Sequence, residues 1–313
     1  MSQPSIQAAA PVWLLVTAYA AGAICLVLWA AMIERWWRGA RVLPYQPRRR
    51  VPWGGIDVVI VVAVYVVLGL AAAFSTAALL GPESGHPAGA VDAEKTSAAH
   101  PIARLLTARD GRIVLLCILT AVVVVPIAEE LLFRVLLQGW LESAQRRFRR
   151  RLRMLWRLVP GAAGPIVLSS LLFSLVHFRA AGPIRELRYE VAMVIGTVVV
   201  GLWTAMLAII LVRARVGATA ADLGWVPKRF FADVGLGLWA ALAVVPPIFL
   251  LNLALNQFFP KDLAPDPIPI FFFALALGTL YHRTHRIVAS VVLHMSLNAS
   301  SLAMAWLAIQ WSK

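Results

Sequence analysis

The sequence predicts an all-α, polytopic membrane helical bundle of about eight transmembrane or partial-span helices, and three observations carry that prediction. The first is composition: 61% of the 313 residues are hydrophobic and 14% charged, against roughly 45–50% apolar in ordinary soluble domains. The second is that the apolar residues gather into long runs. The third is that the arginines fall between those runs in short clusters, as the positive-inside rule expects of a chain that crosses a bilayer repeatedly.

Six runs, at 12–33, 57–80, 113–139, 190–212, 233–257 and 287–309, approach the ~20 residues a helix needs to cross the hydrocarbon. Two shorter ones, 165–178 and 268–281, have the length of partial-span or buried helices. The N-terminus MSQPSIQAAAPVW has no basic leader, so the first run reads as a retained helix. Arg35, Arg38, Arg41 and Arg48–Arg50 follow the first run, and Arg146, Arg147, Arg149–Arg151, Arg153 and Arg157 follow the third. Both segments are therefore expected on the cytoplasmic side, together with 213–229 and 282–286, leaving 81–110 and both termini outside. The expected location is a cytoplasmic (inner) membrane.

This topology also accounts for the excess of 29 Lys and Arg over 15 Asp and Glu without nucleic acid as a partner. Segment 140–158 interleaves aromatic residues with arginine, a pattern that suits nucleic acid or anionic lipid, and its plainer reading, an interfacial helix that sets topology, is the one expected. Loop 81–110 reads as a mobile external segment whose His86 and His100 are simply exposed, while His282 and His285 flank Arg283 as topological residues. Cys25 and Cys117 both lie in apolar runs, as small buried hydrophobes. Pro126 and the Pro246-Pro247 pair should free backbone carbonyls for neighbouring helices to satisfy, Pro126 releasing that of Val122.

Against this background 121–138, AVVVVPIAEELLFRVLLQ, stands out: it could cross a bilayer, yet it carries Glu129, Glu130 and Arg134. Ionisable groups in hydrocarbon are costly and mark function by default. Phe173 and His177, and again His294 and Asn298, are spaced four apart in apolar runs, so each pair shares a helix face. A carboxylate pair, two histidines and an amide inside apolar spans suit hydrolysis within a membrane. The plainer readings are a buried Glu130–Arg134 ion pair locking two helices, Phe173 as packing, and a lone histidine as an interhelical hydrogen bonder.

In order, EExxxR at 129–134, FxxxH at 173–177 and HxxxN at 294–298 resemble the three motifs of the CPBP intramembrane protease family, also called the CAAX prenyl protease 2, Abi or bacteriocin-processing family. The flanks FRVLLQGWL and PIPIFFFALALGTLYHRT agree. The resemblance implies a catalytic set of Glu129, His177, His294 and Asn298, with Glu130, Arg134 and Phe173 supporting it. Glu129 and His177 would activate water and move a proton; His294 and Asn298 would hold the oxyanion. Arg134 would hold the two carboxylates together. The expected partners are the lipid bilayer and a membrane-associated protein or peptide substrate. The cofactor is either none or zinc, whose ligands would be Glu129, His177 and His294. A non-catalytic scaffold or immunity-type binder, and a proton-coupled transporter, are the rival readings.

On this basis the chain divides into 1–110, N-terminal helices with an external loop; 111–180, the first part of the core; 181–264, an apparent two-helix insertion; and 265–313, the second part. The insertion follows from the 117 positions that separate His177 from His294. Its helices, 190–212 and 233–257, are expected outside the site cavity, which is expected to open toward the cytoplasmic half. Within it ADLGWVPKRF, at 221–230, resembles a Leu-Gly motif that in the family more commonly precedes the catalytic part.

Overall fold

A computed structural model describes residues 12–47, 50–81, 101–107, 110–151, 163–178, 187–258 and 267–311, and among them it is helical throughout, without strands. The elements are α1 (Val12–Trp37), α2 (Gly55–Leu80), α3 (Pro101–Thr107), α4 (111–151), α5 (Ala163–Val176), α6 (Leu187–Val216), α7 (Phe230–Phe258), α8 (Pro267–Thr284) and α9 (Ile287–Trp311). Six of them are long and apolar enough to cross a membrane, namely α1, α2, α4, α6, α7 and α9, with α5 a shorter apolar helix. The protein is a multi-pass helical membrane protein. Helices satisfy every backbone group within the segment, which lipid cannot do.

Three differences from the sequence reading bear on the site. Residues 101–107, expected in a mobile loop, form the packed helix α3, whose Leu105 and Leu106 are buried against Cys117 and Val194. His86 and His100 lie outside the described residues. The third run does not end at 139; α4 continues to Arg151, where the described residues break off before the end of the expected interfacial helix. Most consequential, α4 is not uniform: Leu119–Val124 and Glu130–Gln138 are π-helical, separated by the α-helical Val125–Glu129. Such π stretches are rare and concentrate at functional sites.

Around α4, α2 packs on α6, α5 on α8, and α7 on both α1 and α9. Proline chemistry explains one of these contacts. Pro247 has no N–H, so the Ala243 carbonyl loses its helical partner, and Trp29 of α1 donates its indole Nε1 to it at 2.9 Å. The 221–230 segment precedes α7 but docks at the start of α9. Gly224 has φ +78°, and a Cβ there would lie 2.9 Å from His285 O and Ile287 N; Ile287 N donates to Gly224 O at 3.2 Å. A buried Asp233–Arg286 ion pair at 2.6 Å adds a second tie between α7 and the entrance of α9.

α7 and α9 approach each other tightly at Gly237, where a Cβ would sit 2.7 Å from Ala289 O and from Val292 Cβ. Gly237→Ala must therefore push the two helices apart, and overpacking of this kind costs about 1–3 kcal/mol. The expected result is a lower unfolding midpoint in detergent, with weakened activity because α9 carries the third motif.

Candidate active site

The site is assembled from α4, α5 and α9. Glu129 is the last residue before the second π stretch of α4, His177 stands in the turn just beyond α5, and His294 lies two turns into α9. His177 Nε2 is 3.4 Å from Glu129 Oε1 and His294 Nε2 is 3.7 Å from Glu129 Oε2. The two imidazoles thus address the two oxygens of one carboxylate. His177 Nδ1 lies 2.7 Å from the Phe173 carbonyl, an acceptor only, so Nδ1 carries the proton and Nε2 is the nitrogen presented to Glu129. Contacts longer than a hydrogen bond are usual for catalytic groups before substrate arrives.

Glu130, adjacent in sequence, faces a different environment. It is fully buried and accepts from Ser290 Oγ, and His294 Nδ1 stands 3.1 Å from its Oε1. Arg134 Nε is 3.7 Å from its Oε2. The ring of His294 therefore bridges the two glutamates, Nδ1 to Glu130 and Nε2 to Glu129, a role the sequence reading gave to Arg134. Arg134 is an ion-pair partner of Glu130 and also ties α4 to α5, donating from Nη1 to Ser169 Oγ at 3.2 Å. The network continues away from the site: Gln138 donates to Gly278 O at 2.9 Å and to Glu142 Oε1 at 3.1 Å, and His282 Nδ1 is 3.2 Å from the same oxygen of Glu142.

Phe173 is the packing centre among these groups. It is buried, edge-on to Phe133 at 5.1 Å, beside His177 at 4.4 Å and His294 at 5.8 Å, and beneath the Arg134 guanidinium at 5.3 Å. Two contributors were not singled out in the sequence, Ser290 and Phe273, whose ring stands edge-on to His294 at 5.5 Å. For Ser290 a signal exists: Ser290, His294 and Asn298 repeat every four residues, which places them on one face of α9. Phe273 sits in an FFF run where nothing local distinguishes the inward ring.

Asn298 is positioned through Pro126, three residues before the first motif. In the π stretch Val125 N–H bonds to Thr120 O, so the next donor in register would serve Ala121 O, and that donor is Pro126, which has none. The freed carbonyl is thus Ala121, not Val122 as an α-helical register implies. Asn298 Nδ2 donates to it at 2.7 Å, leaving its second N–H available. Asn298→Ala orphans a carbonyl that is then unpaired, at a cost of about 1–3 kcal/mol, and removes a candidate oxyanion donor. A loss of both thermal stability and turnover is expected, whereas Asn298→Asp, which cannot donate when ionised, should lose more turnover for the same backbone defect.

Glu129, His177, His294 and Asn298 all line one cavity of about 340 Å³. The expectation that residues 190–212 lie outside it is corrected: Met193, Val194 and Thr197 of α6 form part of its wall, together with Ile102 of α3. None of α7 lines it. Apart from the catalytic candidates, its lining residues on α4 precede Glu129 and those on α9 follow His294, so it extends toward the N-terminal half of α4 and the C-terminal half of α9.

Compared with known protein families, residues 111–220 and 223–300 match the Rce1-like family, described as type II CAAX prenyl endopeptidase Rce1-like. The chain belongs to the Rce1-like family. None of the curated proteins or solved structures compared with it matches. The matched residues run through α6 and α7, so the stretch 181–264 lies inside the family's region.

For an Rce1-like protein, a protease by family, the zinc alternative can be set against the geometry. Among the described residues no three His, Cys, Asp or Glu side chains are grouped so that they could hold a metal ion. In Glu129, His177 and His294, the ligand set the resemblance implies, each imidazole stands nearest a separate oxygen of the carboxylate. No step below is routed through a metal.

Proposed function

We propose that this Rce1-like protein is an intramembrane endopeptidase that hydrolyses a peptide bond of a membrane-associated protein or peptide, by CAAX-type processing or a related cleavage, with Glu129 as the base that activates water. The observation that carries the reading is the Glu129 carboxylate held between His177 Nε2 and His294 Nε2 at the wall of a cavity. Charge balance adds a physical argument. Two carboxylates and one arginine leave a net negative charge in the interior, which is unfavourable unless neutralised. One proton shared among Glu129, His177 and His294 neutralises it, and those groups are the ones that face the cavity.

In the proposed reaction Glu129 takes a proton from water as the water oxygen adds to the scissile carbonyl carbon. The resulting oxyanion accepts hydrogen bonds from His294 Nε2–H, in the imidazolium form supported by Glu130 below it, and from the second Asn298 N–H. The proton then passes from Glu129, with His177 as its partner, to the leaving nitrogen as the C–N bond breaks, giving a carboxylic acid and an amine. Phe173 and Arg134 hold the two imidazoles and Glu130 in place.

The test is peptidase activity of the full chain in liposomes against a panel of membrane-anchored peptides, prenylated CAAX peptides among them. Cleavage that disappears in Glu129→Gln supports the reading, and an intact protein that cleaves none of them supports the scaffold alternative. Cleavage is expected to survive a strong zinc chelator. Activity lost on chelation and regained with zinc would instead favour the metalloprotease form.

A further inference from the structure

Where α1 and α8 end, the bundle carries charges that the candidate active site does not use. Beyond α1, residues 38–46 cross to the end of α8 as a strap anchored twice. Leu43 packs on the core that contains Ala240, Leu277 and Leu293, and the Gln46 N–H donates to the Arg283 carbonyl at 2.9 Å. Beside this second anchor two guanidinium groups share the ring of Tyr45. Arg41 of the strap and Arg283 of α8 each place their central carbon 5.7 Å from its centroid. Arg35 of α1 is tied to the same strap, donating from Nη2 to the Arg41 carbonyl at 3.2 Å. Like charges gathered in this way repel one another. Yet among the described residues none of the three is paired with a carboxylate, and the neighbouring Glu34 is taken by Arg38 at 2.5 Å.

A ring face attracts a guanidinium but leaves its fork of N–H groups to meet an oxyanion, and Arg35, Arg41, Tyr45 and Arg283 are all exposed. The surroundings indicate which oxyanion. α1 is long and apolar enough to cross a membrane and ends at Trp37. Trp36 and Trp37, 69% and 82% exposed, suit the level at which tryptophan meets lipid headgroups. The strap therefore begins where hydrocarbon gives way to headgroups, and phosphate is the oxyanion concentrated there. Guanidinium matches phosphate through paired, charge-assisted hydrogen bonds. We infer that Arg41 and Arg283, set around Tyr45 with Arg35 beside them, bind the phosphate of an anionic phospholipid headgroup. A cationic cluster without an acid of its own selects a headgroup of net negative charge over a zwitterionic one. The bound lipid braces the strap against the end of α8, where His282, next to Arg283, has its Nδ1 3.2 Å from Glu142 Oε1 of α4.

This site is independent of the endopeptidase reading. Its test titrates the full chain in detergent with phosphatidylglycerol or with phosphatidylcholine, counting bound lipid by native mass spectrometry and following the thermal midpoint. Phosphatidylglycerol is expected to be retained in preference, raising the midpoint as it binds. Arg41→Gln combined with Arg283→Gln should weaken its binding about 25-fold, each arginine near an anionic headgroup being worth about fivefold. A control pair at exposed positions elsewhere, Arg112→Gln with Arg213→Gln, should stay within about twofold of the parent, because solvent screens distant charges. Tyr45→Ala removes no charge, yet should weaken binding about fivefold by releasing both guanidinium groups, whereas Tyr45→Phe, which keeps the ring, should bind like the parent. Equal losses in the two arginine pairs, or a Tyr45→Ala chain that binds like the parent, would reveal only the general attraction of basic segments for anionic lipid and overturn the site. A midpoint raised as far by inorganic phosphate alone as by phosphatidylglycerol would also overturn it, assigning the cluster to a soluble phosphate.

Discussion

Glu129→Gln is expected to abolish cleavage while leaving the folded protein intact. The substitution keeps the shape of the side chain and most of its hydrogen-bonding capacity, so His177 and His294 retain a neighbour of the same size. What disappears is the ability to accept a proton from water, and removal of a general base lowers rate by about 10²–10⁴-fold. Glu129 is also the less buried of the two acids, with 22% of its side chain exposed to the cavity against 0% for Glu130, so its neutralisation disturbs little packing. The measurement is turnover in liposomes beside the thermal midpoint in detergent. A Glu129→Gln protein that cleaves at the parental rate would remove Glu129 from the mechanism, and one that fails to fold would assign it a structural role.

Arg134→Ala is expected to do the opposite, damaging the fold first and activity in consequence. Both Arg134 and Glu130 are completely buried, and removing one partner of a buried ion pair costs about 3–5 kcal/mol because the other charge is left behind. Ser290 and His294 still contact Glu130, so the acid is not stripped of hydrogen bonds. The loss arises from charge, from the vacated volume over Phe173, and from the broken tie to Ser169. A charge-free double variant, Glu130→Gln with Arg134→Met, separates these contributions. If the charge dominates, the double variant should be more stable than Arg134→Ala alone, a non-additivity characteristic of direct partners. Additive losses would show that volume and hydrogen bonding matter more than the ion pair.

Much of the site was legible because membrane interiors make polar residues conspicuous. Glu129, His177, His294 and Asn298 stand out among valines and leucines, and their spacing in fours places each motif on one helix face. Ser290 was legible by the same spacing and overlooked, since serine is common in apolar helices and carries no charge to draw attention. The bridging role of His294 could not be read at all. It depends on Glu129 and Glu130 reaching the two nitrogens of one ring, Nε2 and Nδ1 of His294, an arrangement that exists only once α9 is packed beside α4. The first π stretch, Leu119–Val124, moves the carbonyl orphaned by Pro126 from Val122 to Ala121 and gives Asn298 its partner.

By itself, then, the sequence determined the number and approximate limits of the long apolar helices and the chemical groups of the candidate site, because hydropathy and residue type are sums over local positions. Only the tertiary structure decided which helices wall the cavity, in which direction it runs, and that α3 and α6 belong to it. The reason is that these helices are apolar nearly all the way round. In lipid the hydrophobic effect does not favour one apolar face over another, so the choice of inward face falls to close approaches such as Gly237 against α9 and to polar contacts such as Trp29 with Ala243 O, which exist only once the neighbouring helix is in place.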